Sequence, residues 1–270
     1  MTEQTRRAAG FRDLHHRGSL ILPNCWDAAS ARVFASAGFS AITTTSAGVA
    51  WARGARDGEG LDRDDMVREI AAVARAVDLP VTADMEAGYG PGVGDAAQTA
   101  RAVWAVGAVG VNFEDADYQT PGLLVEVVAQ QARIAAMREA APDLVINART
   151  DVFLLKLGDS DDQRVEMAIR RGRAWLEAGA DVVFLPGVTD PVLVRRLADG
   201  IGGPISLMAG PEATPAQALF EAGACRVSVG PYPMLAVLDR LKTLADGLAA
   251  DWSVMRPAGD GLSRIGAVFG

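Results

Sequence analysis

Histidine and lysine are almost absent from this chain of 270 residues. The only histidines, His15 and His16, sit together near the N-terminus. A zinc site built on imidazoles, or a triad turning on a barrel histidine, is thereby excluded from the rest of the chain. The only lysines are Lys156, several residues beyond an expected strand, and Lys242, in an expected C-terminal helix. Schiff-base chemistry needs a lysine in the pocket, and neither is placed for it. Cysteine is equally scarce. Cys25 follows one expected strand and Cys225 precedes another, so the pair would stand at opposite ends of a parallel barrel. Two such residues make no disulfide framework, which suits a reducing compartment.

Long apolar stretches are missing too. No run approaches the roughly 20 residues of a membrane span, and no apolar segment of the signal-peptide kind follows Met1–Arg7. The expected location is the cytoplasm, away from any membrane. The formal net charge is -8, and no basic stripe exists to neutralise phosphates, so nucleic acid is not an expected partner. What remains for chemistry is carboxylates, arginines, hydroxyls and a bound metal.

Half of the residues are hydrophobic (50%), enough for a packed core. Eight short apolar runs read as strands: Leu20–Leu22, Ala41–Thr44, Val81–Ala83, Gly110–Phe113, Val145–Ala148, Val182–Leu185, Ile205–Leu207 and Arg226–Val229. Four segments repeat one pattern: Ala37-Gly-Phe-Ser-Ala-Ile42, Val106-Gly-Ala-Val-Gly-Val111, Ala178-Gly-Ala-Asp-Val-Val183 and Ala222-Gly-Ala-Cys-Arg-Val227. Each reads as a helix closed by glycine, which tolerates the left-handed conformation, with a strand following at once. Asp62, Asp95 and Thr214-Pro215 are expected helix starts. Strands alternating with helices predict an α/β chain folded as a (β/α)8 TIM barrel. A single domain over 1–270 is expected, with the barrel at about 18–232 and a helical C-terminal segment at about 233–270. The last helix is expected over Met234–Trp252, followed by a polar tail.

In a barrel the active site lies at the C-terminal ends of the strands. There the segment Val81-Thr-Ala-Asp-Met-Glu-Ala-Gly-Tyr-Gly90 carries Asp84 and Glu86. Strand side chains alternate faces, so both carboxylates are expected on one side and Met85 on the other. Like charges so close favour a cation between them or a shifted pKa, and hard divalent ions prefer such oxygen ligands. A second acidic pair, Glu114-Asp115, ends the next strand. The glycine-rich run Gly88–Gly94 lacks the ending of a phosphate loop and reads as a flexible loop over the site.

Five segments in order carry a resemblance: Pro23-Asn-x-Trp-Asp-Ala-x-Ser-Ala-Arg32, Thr45-Ser-Ala-Gly48, Ala83-Asp-Met-Glu-Ala-Gly-Tyr-Gly90, Asn112-Phe-Glu-Asp115 and Asn147-Ala-Arg-Thr-Asp151. Together they resemble the isocitrate lyase/phosphoenolpyruvate mutase superfamily, in its carboxyphosphonoenolpyruvate phosphonomutase-like branch. The resemblance implies that Ser46, Ala47 and Gly48 hold a substrate carboxylate or 2-oxo group. It makes Asp84 the direct ligand of Mg2+, with Mn2+ as substitute, and has Asp57, Glu86 and Glu114 ligate directly or through water. It gives Arg149 to the substrate and to developing negative charge. It also implies a homotetramer, a dimer of dimers, in which the C-terminal helix is exchanged against a neighbouring subunit. Trp26 reads as a substrate contact or a packing residue, Arg149 as substrate ligand or salt-bridge partner, and Asp27 as a helix cap.

The chain also departs from that family. Its lyases carry a Lys-x-Cys-Gly-His loop whose cysteine is the acid/base, where this chain has Ala116-Asp-Tyr-Gln-Thr-Pro-Gly-Leu-Leu124. Asp117 and Tyr118 are the proton donors left in that segment. Pro186 stands where the lyases have glutamate, and Ser206 where an asparagine is usual. The function expected from the resemblance is Mg2+-dependent cleavage of a C–C bond beside the carbonyl of a small 2-oxo acid, or its decarboxylation, through an enolate, and not isocitrate cleavage. Arg149, Asp57 and Tyr118 are the expected catalytic residues. The alternatives are a P–C bond phosphonomutase or phosphonopyruvate hydrolase, and a non-catalytic 2-oxo acid-binding protein.

Overall fold

Pro23 has no amide hydrogen to give a neighbouring strand, and it separates the first expected strand, Leu20–Leu22, from a further short one. The computed structural model describes residues 1–257 and 259–269. The two strands that flank Pro23 are β1 (Leu20–Leu22) and β2 (Asn24–Cys25). There follow β3 (Ile42–Thr44), β4 (Val81–Asp84), β5 (Gly110–Glu114), β6 (Val145–Arg149), β7 (Val182–Leu185), β8 (Ile205–Met208) and β9 (Ala224–Ser228). Neighbouring strands are parallel, in the order β1-β9-β8-β7-β6-β5-β4-β3-β2. Because β1 pairs with β9 and β2 with β3, the segment around Pro23 links the last strand of the ring to the next. This is the expected (β/α)8 barrel, with nine strands where eight were expected because Asn24–Cys25, beyond Pro23, pairs as a further short strand.

The helices are α1 (Glu3–Arg17), α2 (Ala28–Ser36), α3 (Ser46–Ala52), α4 (Arg63–Ala76), α5 (Val93–Ala105), α6 (Val127–Ala140), α7 (Asp161–Glu177), α8 (Pro191–Ile201), α9 (Ala216–Glu221), α10 (Tyr232–Gly247) and α11 (Gly261–Phe269). The glycines of the four repeats, Gly38, Gly107, Gly179 and Gly223, all take positive φ, from 84° to 112°, where a side chain would be strained. Asp62 caps α4 as expected, accepting from the Asp65 amide at 2.7 Å, and Asp27 caps α2. Two starts differ. Asp95 lies inside α5 and reaches back to the Gly92 amide at 3.0 Å, and Thr214 is displaced by Pro215 at the cap of the short α9. Beyond α10 comes a 3-10 turn over Trp252–Met255 and then α11, where a polar tail was expected. Among the described residues no helix is long and apolar enough to cross a membrane.

Helix α1 was not expected. Thr2 caps it, and Ala8, Phe11 and His15 fall on one buried face. Phe11 packs with Leu20, Leu22, Ala41, Val109 and Val145, near the strand starts, so α1 closes the barrel at the end opposite the expected site. Burying a phenylalanine contributes up to about 3 kcal/mol.

Partners across parallel strands face the same side of the sheet. One row runs Glu114, Arg149, Phe184, Ser206, Arg226 and another Asp84, Asn112, Asn147. The Asn112 side-chain oxygen accepts from Asn147 at 2.8 Å and from Arg226 at 3.1 Å, giving the barrel a polar interior layer.

Candidate active site

Apart from Arg226, which lies within β9, the charged residues of these rows gather at the C-terminal ends of β4, β5 and β6. Asp84 closes β4. Its amide donates to Thr44 Oγ1 at 2.8 Å, and its Oδ2 accepts from the Ser46 amide at 3.0 Å, so the β3 end holds it at both points. Burial raises its pKa, opposed by Arg149. Glu86 is not the next residue of an alternating strand: β4 ends at Asp84 and Glu86 turns left-handed, φ 48°. Its carboxylate accepts from the Tyr89 hydroxyl at 3.1 Å and from the Glu59 amide. Burial first, then the charges of Asp57 and Asp84, push its pKa up to about 7. Asp57 itself is exposed, on the turn after α3.

Glu114 ends β5 with 2% of its surface exposed. It pairs with Arg149 Nη1 at 2.6 Å and accepts from the Tyr118 hydroxyl. Burial lifts its pKa well above the usual range. Asp115 faces away from this group. It accepts from Arg171 at 3.0 Å and from the Asp151 amide at 3.0 Å, so the second acidic pair of the sequence is split between the site and its support. Arg149 is both of the things its sequence allowed. Asp151 chelates it, Nη2 to Oδ2 at 2.8 Å, while its third nitrogen meets Glu114.

The loop expected to be flexible is pinned. Arg63 donates to the carbonyl of Tyr89 at 2.7 Å, and Arg133 to those of Ala87 and Gly90, the latter at 3.0 Å. Ser46, Ala47 and Gly48 form the buried first turn of α3, whose cap residue Thr45 makes no side-chain bond to it. Backbone amides of a first turn have no partner in the helix. A Cβ at Gly48 would lie 2.6 Å from Thr45 Cγ2 and 3.0 Å from Trp26 Cβ, so Trp26 packs against this turn. Ser206 is fully buried, below the mouth, and its hydroxyl has no partner. Tyr118 lies over Gly58 and on Glu114. Burial and Glu114 both raise its pKa, which makes it a weaker acid than a free phenol.

Sequence reasoning gave no role to Thr44, Glu59, Tyr89, Asp151 or Arg171. Asp151 had a signal, its place in the same motif as Arg149. Glu59, Glu86 and Tyr89 all have positive φ, for which glutamate and tyrosine give no sequence sign.

The donor set fits a divalent cation of the Mg2+ kind. Asp84 and Glu114 face one cation, Arg149, and the three buried carboxylates, Asp84, Glu86 and Glu114, all have raised pKa values. Among the described residues no three His, Cys, Asp or Glu side chains converge to enclose an ion. Both oxygens of Glu86 and of Glu114 are already hydrogen-bonded. That suits one direct carboxylate with the others acting through water, as Mg2+ prefers.

An acid-lined mouth on a parallel barrel, with a guanidinium beside it, defines the class: an α/β barrel with a carboxylate platform. The family model described as phosphoenolpyruvate phosphomutase matches residues 11–249, and the chain belongs to that family, within the isocitrate lyase/phosphoenolpyruvate mutase superfamily. A solved structure from Burkholderia cenocepacia J2315, provisionally named a phosphonomutase, is 42% identical with a TM-score of 0.84, over 89% of this chain and 99% of that one. A Mycobacterium tuberculosis protein of uncharacterised function is 34% identical over 84% of each chain. The 2-methylisocitrate lyase of Bacillus subtilis is 30% identical over 77% of this chain and 68% of its own. Of these three, the two with a reaction in their names are a lyase and a provisionally named mutase.

Proposed function

We propose that this chain is a Mg2+-dependent lyase acting on a small 2-oxo acid, or a related carboxylate, by cleaving a C–C bond beside the carbonyl or by decarboxylation. The reading rests on one observation: Asp84, Glu86 and Glu114 are buried at neighbouring strand ends with raised pKa values, Asp84 and Glu114 beside Arg149. Asp84 would hold the metal directly, and Glu86, Glu114 and Asp57 through water. Bound Mg2+ would polarise a carbonyl and stabilise an enolate. The amides of Ala47 and Gly48 would take the substrate carboxylate, Ser46 would keep Asp84 in place, and Arg149 would face developing negative charge. Trp26 would wall the carboxylate end. Ser206 would act only from beneath, and Tyr118 as a cover with a poor proton.

The segment Ala116–Leu124 offers no strong acid, and general acid catalysis is worth about 10²–10⁴-fold. Isocitrate and 2-methylisocitrate should therefore be cleaved poorly. A P–C bond mutase is the second reading, favoured by the family description and by the similarity to a provisionally named phosphonomutase. The exposed Leu235, Leu238, Leu241 and Leu248 of the C-terminal segment support a homotetramer sealed by α10; the cytoplasm is the compartment proposed for it. Calorimetry with oxalate tests the platform: binding should require Mg2+, or Mn2+ in its place. Following oxaloacetate and phosphonopyruvate by NMR then separates the lyase from the mutase, and turnover of neither leaves a binding protein.

A further inference from the structure

Arg226 faces the barrel interior, as Arg149 does, and the proposed reaction makes no use of it. It lies within β9 and is fully buried. Its Nη2 donates to the Asn112 side-chain oxygen at 3.1 Å, while Nε and Nη1 have no protein partner. Among the described residues, then, no carboxylate pairs with it. Burial lowers its pKa to about 10, with Cys225 and Asp84 opposing, so it is a cation at neutral pH. A buried charge with one neutral hydrogen bond costs the fold more than it returns. Taking it away would strand no acid. Nor would it leave Asn112 bare, because the same oxygen accepts from Asn147 at 2.8 Å. What Arg226 offers is therefore its charge rather than a contact.

Its position brings that charge to the platform. Asn112 is the partner of Asp84 across β4 and β5, and it stands two residues before Glu114 on the same face of β5. The guanidinium thus ends on the residue beside Asp84 and beneath Glu114. Arg149 is committed elsewhere, with Nε and Nη2 on Asp151 and Nη1 on Glu114. Asp84 is hydrogen-bonded only by neutral groups, Thr44 and the Ser46 amide. In a buried layer a charge acts over several ångströms, and salt screens it little. Resting on the platform reading above, we propose that Arg226 is a positioning residue that acts by its charge from beneath the platform. It loosens the hold of the acids on the divalent cation and strengthens the hold of the loaded site on an anionic ligand.

Calorimetry on the full chain at neutral pH tests this, first with Mg2+ alone and then with oxalate at saturating Mg2+. Arg226→Met removes both the charge and the hydrogen bond. Arg226→Gln removes the charge and keeps an amide donor. Each variant should bind Mg2+ at least about threefold more tightly than the parent, and oxalate at least about threefold more weakly. A role in packing alone would weaken both ligands together, so the opposite signs are particular to charge. If the Met variant does not fold, the Gln variant, closer in shape and polarity, decides the matter. Both affinities falling together, or both staying within about twofold of the parent's, overturns the inference and leaves the platform reading intact. Absence of Mg2+-dependent oxalate binding by the unaltered protein overturns that reading, and this inference with it.

Discussion

The two sides of the barrel mouth are built from the same strand–turn–helix unit and need very different support. On the β4–β6 side each charge is held by named partners: Asp84 by Thr44 and Ser46, Arg149 by Asp151 and Glu114, Asp115 by Arg171. Three of the five non-glycine residues with positive φ, Glu59, Glu86 and Tyr89, cluster there and bond to one another. On the β7–β9 side Phe184, Met208 and close-packed glycines stand near the strand ends, and the one charge of those strands, Arg226, is fully buried and reaches Asn112. A buried charge without hydrogen bonds is costly, whereas an apolar wall needs only shape. Backbone strain of this kind persists only where surrounding contacts over-determine it, and the charged side has those contacts.

The largest effect should come from taking the cation out of the charged side. Arg149→Met leaves Glu114 and Asp151 buried without their partner, a loss of about 3–5 kcal/mol. Urea unfolding measures it, and a change under about 1 kcal/mol would mean that water replaces the guanidinium freely. Asp84→Ala should weaken Mg2+-dependent oxalate binding at least about 100-fold, beyond the 10–100-fold typical of outer-shell changes, while leaving the melting temperature near or above that of the parent. Binding like the parent's would misplace the metal.

The β7–β9 side should answer in the opposite currency. Phe184→Leu keeps an apolar wall and should cost about 1–2 kcal/mol of stability from lost volume. If it instead abolished metal-dependent binding, the division of the mouth into two sides would fail.

The smallest effect is a difference in pH slope. His15, beneath both sides, donates from Nδ1 to the Phe11 carbonyl at 2.9 Å in its neutral form, and burial lowers its pKa from 6.5 to about 3. The unfolded chain therefore binds a proton first, so His15 costs stability as pH falls below 6.5, and the loss is complete near 3. Glu86, raised from 4.5 to about 7, has the opposite sign: the fold holds its proton more tightly, and acidification from 7 towards 4.5 favours the folded state. His15→Gln should therefore make stability rise more, or fall less, between pH 6.5 and 4.5 than in the parent. Urea midpoints across that range in EDTA decide it, and parallel curves would mean that His15 is hydrated.

Much of the scaffold could be read from local pattern. Short apolar runs, each bounded by a helix, marked the strands, and the glycine closures marked where four of them begin. Pro23 was visible, but not that a second short strand would follow it and pair with a different neighbour. Helix α1 lacks a strong apolar period, and its buried face exists only because the barrel end is there to receive Phe11. At the site, Asp84, Glu114 and Arg149 could be placed at strand ends, because chain order and strand length set who reaches the mouth. The roles of Glu59, Tyr89 and Arg171 could not, since their partners lie 15 or more positions away or require backbone angles that their side chains do not advertise.

The sequence by itself determined the repeating strand and helix units and the strand ends that bear acid, because hydrophobic period and glycine closure act over a few neighbouring residues. Only the tertiary structure decided which acids face the mouth, which are turned to support it, and that Arg226 reaches across the barrel to Asn112. Those outcomes depend on which distant segments share the buried space, and on the requirement that each charge in it find a partner.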